Sequence, residues 1–147
     1  MSKVKDLLAV KGSAVCTISP EKSVYEALTI MAEKEIGALV VMSGGMVVGI
    51  ISERDYARKV ILKGRFSKDT AVKDIMTKAT VTVLPSQSLE ECMALMTEKR
   101  LRHLPVIEDG KLLGIISIGD IVKSIITDQK FVIENLTNYI SGSPSLG

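Results

Sequence analysis

The chain has 147 residues, 46% of them apolar, and a formal net charge of +2. That length fits one compact domain or two small ones, with enough core to fold without a disulfide or metal staple. The weak charge argues against a nucleic-acid partner, 3% aromatics offer no base-stacking platform, and Cys16, Cys92 and the single His103 lack zinc-site spacing. The longest apolar run, residues 38–42, is far short of the roughly 18–20 residues of a membrane span. The charged start, Met1-Ser2-Lys3-Val4-Lys5-Asp6, leads into no signal-type stretch. The expectation is a cytoplasmic protein with no metal, no nucleic acid and no membrane among its partners.

In chain order, the lead-in Val4-Lys5-Asp6-Leu7-Leu8 comes first. A short strand over 16–19 follows, then a turn at Pro20 and a helix over 23–34 opened by Ser23 and Glu26. Strands are predicted over 37–42 and 46–52 around the turn Ser43-Gly44-Gly45, and a helix over 53–62. A polar linker, 63–71, contains Gly64 and is expected to run over the surface. A second lead-in, Val72-Lys73-Asp74-Ile75-Met76, precedes a strand over 80–84 and a helix over 89–100 capped by Ser88 with Glu91. Strands over 103–107 and 112–117 flank a hairpin turn, and a helix closes the unit over 118–127. A further amphipathic helix is predicted over 128–140, apolar at Phe131, Val132, Ile133, Leu136, Tyr139 and Ile140. Residues 141–147 read as a frayed tail.

This order repeats itself. Shifting the chain by 65 residues lays 17–61 over 82–126 without a gap, and 16 of the 45 pairs are identical. That period is too long for a solenoid unit. One copy alone has too small a core to stand comfortably, and runs such as Val47–Ile51 and Leu112–Ile116 read as strands covered on both faces. The predicted fold is α+β, of two-layer type: two β-α-β-β-α modules, 4–62 and 72–127, packed about a pseudo-twofold axis, plus a C-terminal helix over 128–140.

The most distinctive shared string is Gly-Ile-Ile-Ser-x-x-Asp, at 49–55 and 114–120. Ser52 and Ser117 fall at helix N-caps with Asp55 and Asp120 three residues on. Two readings stand side by side. The pair is a capping-box variant worth about 1 kcal/mol, needing no ligand. Alternatively, the hydroxyl and free N–H groups meet a phosphate, and the carboxylate accepts from the hydroxyls of a ribose. Met31, Met93 and Met96 sit at helical spacing and read as core filling; Cys16 and Cys92 read as small hydrophobes.

The doubled Gly-Ile-Ile-Ser-x-x-Asp, the Thr-Ile-Ser-Pro and Thr-Val-Leu-Pro starts and the Val-Lys-Asp lead-ins together resemble a tandem cystathionine-β-synthase (CBS) domain pair, or Bateman module, of the stand-alone bacterial and organellar type. Ile36-Gly37-Ala38-Leu39-Val40-Val41 and Leu101-Arg102-His103-Leu104-Pro105-Val106 belong to the same pattern, which covers roughly residues 4–127. The resemblance implies two clefts between the modules that bind an adenosine ligand: AMP, ADP, ATP, NAD or S-adenosylmethionine. It places the ribose at Asp55 and Asp120 and the phosphate near Ser52 and Ser117. The adenine would lie among Cys16, Thr17 and Ile18 with Ile36, Gly37 and Ala38, and among Val81, Thr82 and Val83 with Leu101, Arg102, His103, Leu104 and Pro105. Ile50 and Ile115 flank these positions on the preceding strands. Arg54 aligns with Gly119, and Gly37 and Ala38 with Arg102 and His103, so the two clefts are expected to differ.

Three functions follow for comparison. A regulatory nucleotide sensor without catalysis would pass its ligand state to an unidentified partner protein through altered packing of the modules. An enzyme would need a nucleophile, base and orienter drawn from the two Cys, His103 and a carboxylate, which nothing in the sequence brings together, and no Gly-x-x-x-x-Gly-Lys-Ser/Thr loop is present. In a scaffold, the Ser-x-x-Asp strings are only caps. A homodimer is expected from apolar helix faces, with Phe131, Val132, Leu136 and Tyr139 as a C-terminal clasp.

Overall fold

The structure, a computed structural model, describes residues 2–12, 14–79 and 81–140. The predicted tail at 141–147, Thr80 and the side chain of Tyr139 lie outside the described residues.

The first repeat builds strand β1 (Thr17–Ile18), helix α2 (Val24–Lys34), strands β2 (Ala38–Ser43) and β3 (Met46–Ser52), and helix α3 (Glu53–Lys59). The second builds helix α5 (Leu89–Lys99), strands β5 (His103–Glu108) and β6 (Lys111–Ser117), and helix α6 (Ile118–Ile140). Ser23 and Ser88 cap their helices as predicted, their Oγ atoms accepting from the Glu26 and Glu91 N–H groups at 3.1 Å in both cases. Each hairpin shifts register at the same place, between Val41 and Met42 and between Val106 and Ile107. In β2, Leu39, Val40 and Val41 are all fully buried, so both faces of the strand are covered.

Three predicted elements differ. The strand over 80–84 is reduced to a parallel bridge between Val83 and Val106. The helix after β3 ends at Lys59, where buried Val60 leads into a 3-10 turn, Ile61–Lys63, closed by Gly64 in the left-handed conformation (φ 69°). The helices predicted over 118–127 and 128–140 are one, because neither Gly nor Pro interrupts the chain between Asp120 and Ile140.

The lead-ins hold the largest surprise. The first forms helix α1 (Val4–Lys11), and the second forms helix α4 (Val72–Ile75) followed by strand β4 (Thr77–Lys78). Contiguity assigns each to the repeat that follows it, but in space they are exchanged. Val4, Leu7 and Leu8 join the core of the second repeat, with Leu89, Cys92, Met96, Leu104 and Ile116. Val72 and Ile75 join that of the first, with Val24, Met31, Leu39 and Ile51. Backbone pairing repeats the exchange. The N–H groups of Val4 and Lys5 donate to the Gln87 and Pro85 carbonyls (2.9 and 3.0 Å), and those of Val72 and Lys73 donate to Lys22 and Pro20 (2.8 and 3.0 Å). The proline turns of each repeat are thus docking points for the lead-in of the other. Strand β4 completes the sheet β1-β2-β3-β4.

Gly49 and Gly114 permit this docking. A Cβ on Gly49 would stand 2.7 Å from Met76 Sδ and 2.8 Å from the Thr77 carbonyl oxygen; one on Gly114 would stand 2.8 Å from Leu8 Cδ2. The linker between the repeats is mostly exposed, Phe66 included, but it ends at buried Thr70, whose hydroxyl donates to the Phe66 carbonyl (2.8 Å).

Candidate functional site

The string Gly-Ile-Ile-Ser-x-x-Asp sits at the passage from β3 to α3 and from β6 to α6. The capping box predicted there is formed in both repeats. In the first, Ser52 Oγ accepts from the Asp55 N–H (3.2 Å), and Asp55 Oδ2 accepts from the Ser52 N–H and hydroxyl (3.0 Å each). In the second, Ser117 Oγ accepts from the Asp120 N–H (3.1 Å), and Asp120 Oδ2 accepts from the Ser117 N–H (2.9 Å). The cap engages only one oxygen of each carboxylate. What else reaches the carboxylates differs.

Asp55 is buried, and its Oδ1 faces Lys59 Nζ at 3.2 Å and the Thr77 hydroxyl at 3.4 Å. It lies in a cleft of about 740 Å³ between the two repeats, within the range of small-molecule sites. The first repeat contributes Gly37, Ile50, Ser52, Arg54, Asp55, Arg58 and Lys59. The exchanged segment adds Thr77, Lys78 and Ala79. The second repeat closes the far side with Val81, Met96, Thr97, Arg100, Leu101, Arg102, His103, Pro105 and Ile118.

Six cationic residues, Arg54, Arg58, Lys59, Lys78, Arg100 and Arg102, therefore line the cleft with one carboxylate, Asp55. Among the described residues, Lys59 alone of the six has an ion pair. Loss of water contact lowers the Arg54 pKa, the Arg102 and Arg58 guanidinium groups lower it further, and Asp55 opposes them. Arg54 nonetheless stays charged. Burial, then the Lys11 ammonium, holds the His103 imidazole below its ordinary 6.5 against the pull of Asp120 and Asp55, with Arg102 adding to the lowering. His103 is therefore a neutral wall of the cleft at pH 7.

Asp120 meets a different neighbour. Lys11 Nζ, from the exchanged helix α1, stands 2.6 Å from Asp120 Oδ2 and donates to the Ile115 carbonyl at 2.7 Å. Burial would raise the Asp120 pKa. The Lys11 and Ser117 hydrogen bonds and the Lys11 charge outweigh it and hold the carboxyl below the usual range.

The predicted site residues divide accordingly. Gly37, Ile50, Ser52, Arg54, Asp55, Val81, Leu101, Arg102, His103 and Pro105 share the large cleft. Outside its lining are Cys16, Thr17, Ile18, Ile36, Ala38, Thr82, Val83, Leu104, Ile115, Ser117, Gly119 and Asp120. Thr17 and Ile18 line a separate depression with Lys22 and Met42, and Ile36 lines another with Leu28 and Glu53. Val83 and Leu104 are core residues, and Gly119 faces a surface groove beside Val122 on α6. Sequence reasoning missed Lys59, Thr77, Lys78, Ala79, Met96, Thr97, Arg100 and Ile118 as cleft residues. Thr77 to Ala79 reach the cleft through the exchanged lead-in, which no motif marks.

Cys92 is fully buried, and burial, with Glu91 nearby, raises its thiol to about 11. It is chemically quiet at neutral pH. Among the described residues no helix is long and apolar enough to cross a membrane.

Comparison with known proteins places this architecture. The chain is 39% identical to the mitochondrial CBS domain-containing protein CBSX3 of Arabidopsis thaliana, over 95% of this chain and 72% of that one. It is 31% identical to the CBS domain-containing protein YhcV of Bacillus subtilis, over 88% of this chain and 89% of the relative. A solved CBS-domain protein from Burkholderia ambifaria matches the fold with a TM-score of 0.81 at 53% identity, covering 87% of this chain and 96% of that one. The family model for the CBS domain matches twice, at residues 4–62 and 72–127. The fold thus matches that of a solved CBS-domain protein, and the chain belongs to the CBS-domain family.

Proposed function

We propose that the protein is a regulatory sensor of adenine nucleotides, binding AMP, ADP, ATP or NAD in the Asp55 cleft without catalysing a reaction of its own. CBS pairs are regulatory modules in general, and their ligands contain adenosine. The observation that carries the reading is the cleft itself. A carboxylate held by its own cap turns its second oxygen, paired with the Lys59 ammonium at 3.2 Å, toward a groove whose other charged lining residues are all positive. A ribose hydroxyl exchanges with the long Thr77 contact at Asp55 Oδ1, and Arg54, Arg58 and Arg102 meet phosphate, for which the guanidinium fork is suited. S-adenosylmethionine brings a sulfonium cation into this field, so the charge disfavours it against phosphate-bearing ligands. The ligand bridges residues of both repeats. Its binding therefore favours one packing of the pair over another, and a partner protein reads that difference.

Thermal shift tests this. A nucleotide at 100 times its dissociation constant is expected to add about 2.7 kcal/mol to apparent stability. The gain is expected to shrink in high salt and to be lost in Asp55→Ala, whose unliganded form is weakened by only about 1 kcal/mol through loss of the cap. Absence of any shift in nucleotide-free wild-type protein sinks the reading and leaves the scaffold alternative.

The same proposal includes a homodimer. Phe131, Val132 and Leu136 are more than half exposed on α6, and a second copy of the chain would cover them. A solved CBS-CP12 protein of cyanobacteria, 32% identical with a TM-score of 0.76 over 82% of this chain and 66% of that one, is hexameric. Light scattering is expected to give the dimer mass; a protomer mass independent of concentration sinks this part.

A further inference from the structure

The fold does not account for the charge of the Asp55 cleft. Lys59 is committed, to Asp55 Oδ1 at 3.2 Å and to the Ile75 carbonyl at 2.9 Å. Arg54, Arg58, Lys78, Arg100 and Arg102 remain on the cleft wall, all exposed. Among the described residues none of these five has an ion pair. Glu53, beside Arg54 in the chain, lines a separate depression. The two repeats share a fold, so charges that the fold required would recur in both. They do not. Arg54, Arg58, Arg100 and Arg102 align with Gly119, Lys123, Glu35 and Gly37, one cation and one anion in place of four cations.

The arginines stand on both walls. Arg54 and Arg58 lie one turn apart on α3, and Arg100 and Arg102 lie between α5 and β5 of the second repeat. Arg102 and Arg58 both act on Arg54, lowering its pKa after loss of water contact, so like charges crowd across the cleft. That repulsion is turned to attraction by an anion set between the walls. A single phosphate brings at most about two negative charges, too few to balance the five cations. Each further linked phosphate adds charge and further oxygens for the guanidinium forks. At about 740 Å³ the cleft is of a size to take a nucleotide together with its phosphate chain.

We propose that the Asp55 cleft selects its ligand by the length of the phosphate chain, so that its nucleotide is a di- or triphosphate rather than a monophosphate, with Arg100 and Arg102 of the second repeat gripping the phosphates beyond the first. The inference rests on the nucleotide reading of this cleft. It makes the charge of the ligand, rather than its adenosine, the quantity that draws the two repeats together.

Isothermal titration of the full chain with AMP, ADP, ATP and inorganic tripolyphosphate, free of divalent cations, tests it. Affinity is expected to rise from AMP to ADP to ATP, with ATP at least about tenfold tighter than AMP at low salt, and the ratio is expected to shrink in about 0.5 M salt. The double variant Arg100→Gln with Arg102→Gln is expected to weaken ATP more than AMP and to bring the two within about threefold. Lys34→Gln, which removes one exposed cation at the end of α2, away from the cleft, is expected to keep the wild-type ratio. Loss of mutual repulsion is expected to leave the thermal midpoint of the unliganded double variant unchanged or raised, so a folding defect does not stand behind its lost binding. AMP binding as tightly as ATP, or an ATP advantage that survives in the double variant, overturns the inference while the nucleotide reading stands. Tripolyphosphate binding as tightly as ATP, with no uptake of AMP, overturns the nucleotide reading and keeps the site for linked phosphates. No uptake of any of the four overturns both.

Discussion

Leu7→Ala is expected to destabilise the protein by about 2–5 kcal/mol, the cost of emptying a buried leucine site, although Leu7 lies in the first eleven residues of the chain. The side chain is 6% exposed and packs in the second repeat's core with Met96, Leu104 and Ile116. Against a total stability of roughly 5–15 kcal/mol, the loss is a large fraction. Urea unfolding measures its size, and amide hydrogen exchange measures its place. Protection is expected to fall in α5, β5 and β6, more than 80 residues along the chain, and to persist in β2 and β3. Protection lost first in β2 and β3 would mean that the lead-in serves its own repeat.

Gly49→Ala and Gly114→Ala occupy equivalent positions and are expected to behave unequally. At Gly49 the new methyl meets the Thr77 carbonyl, which is backbone and fixed by the pairing of β3 with β4. Relief requires opening that pairing, at about 1–3 kcal/mol. At Gly114 the methyl meets only Leu8, whose terminal carbons sit at 2.8 and 3.5 Å and can rotate away; the cost is expected below about 1.5 kcal/mol. Urea midpoints separate the two. A second readout follows from position: β4 delivers Thr77 and Lys78 to the Asp55 cleft, so Gly49→Ala is also expected to weaken nucleotide binding, whereas Gly114→Ala is not. Equal effects of the two alanines on both readouts would contradict the docking role assigned to Gly49.

Much of this protein is written locally. The repeat, the Ser23 and Ser88 caps, the two hairpins and both capping boxes at Asp55 and Asp120 follow from short-range spacing, because hydrogen bonds three residues apart and short apolar runs bounded by turn residues depend on neighbours in the chain. The CBS resemblance, carried by the doubled Gly-Ile-Ile-Ser-x-x-Asp, pointed to the fold. Tertiary structure alone decided the rest. Lead-ins that share Val-Lys-Asp dock on opposite repeats, because the carbonyls of Pro20 and Lys22, and of Pro85 and Gln87, are completed by N–H groups from the far lead-in. That exchange brings Thr77 and Ala79 to Asp55 and Lys11 to Asp120. Locally the two aspartates differ by Arg54 against Gly119 and by Lys59 against Ser124. They differ further because a lysine more than 100 residues away in sequence reaches one, and the segment from Thr77 to Ala79 borders the cleft that the other faces.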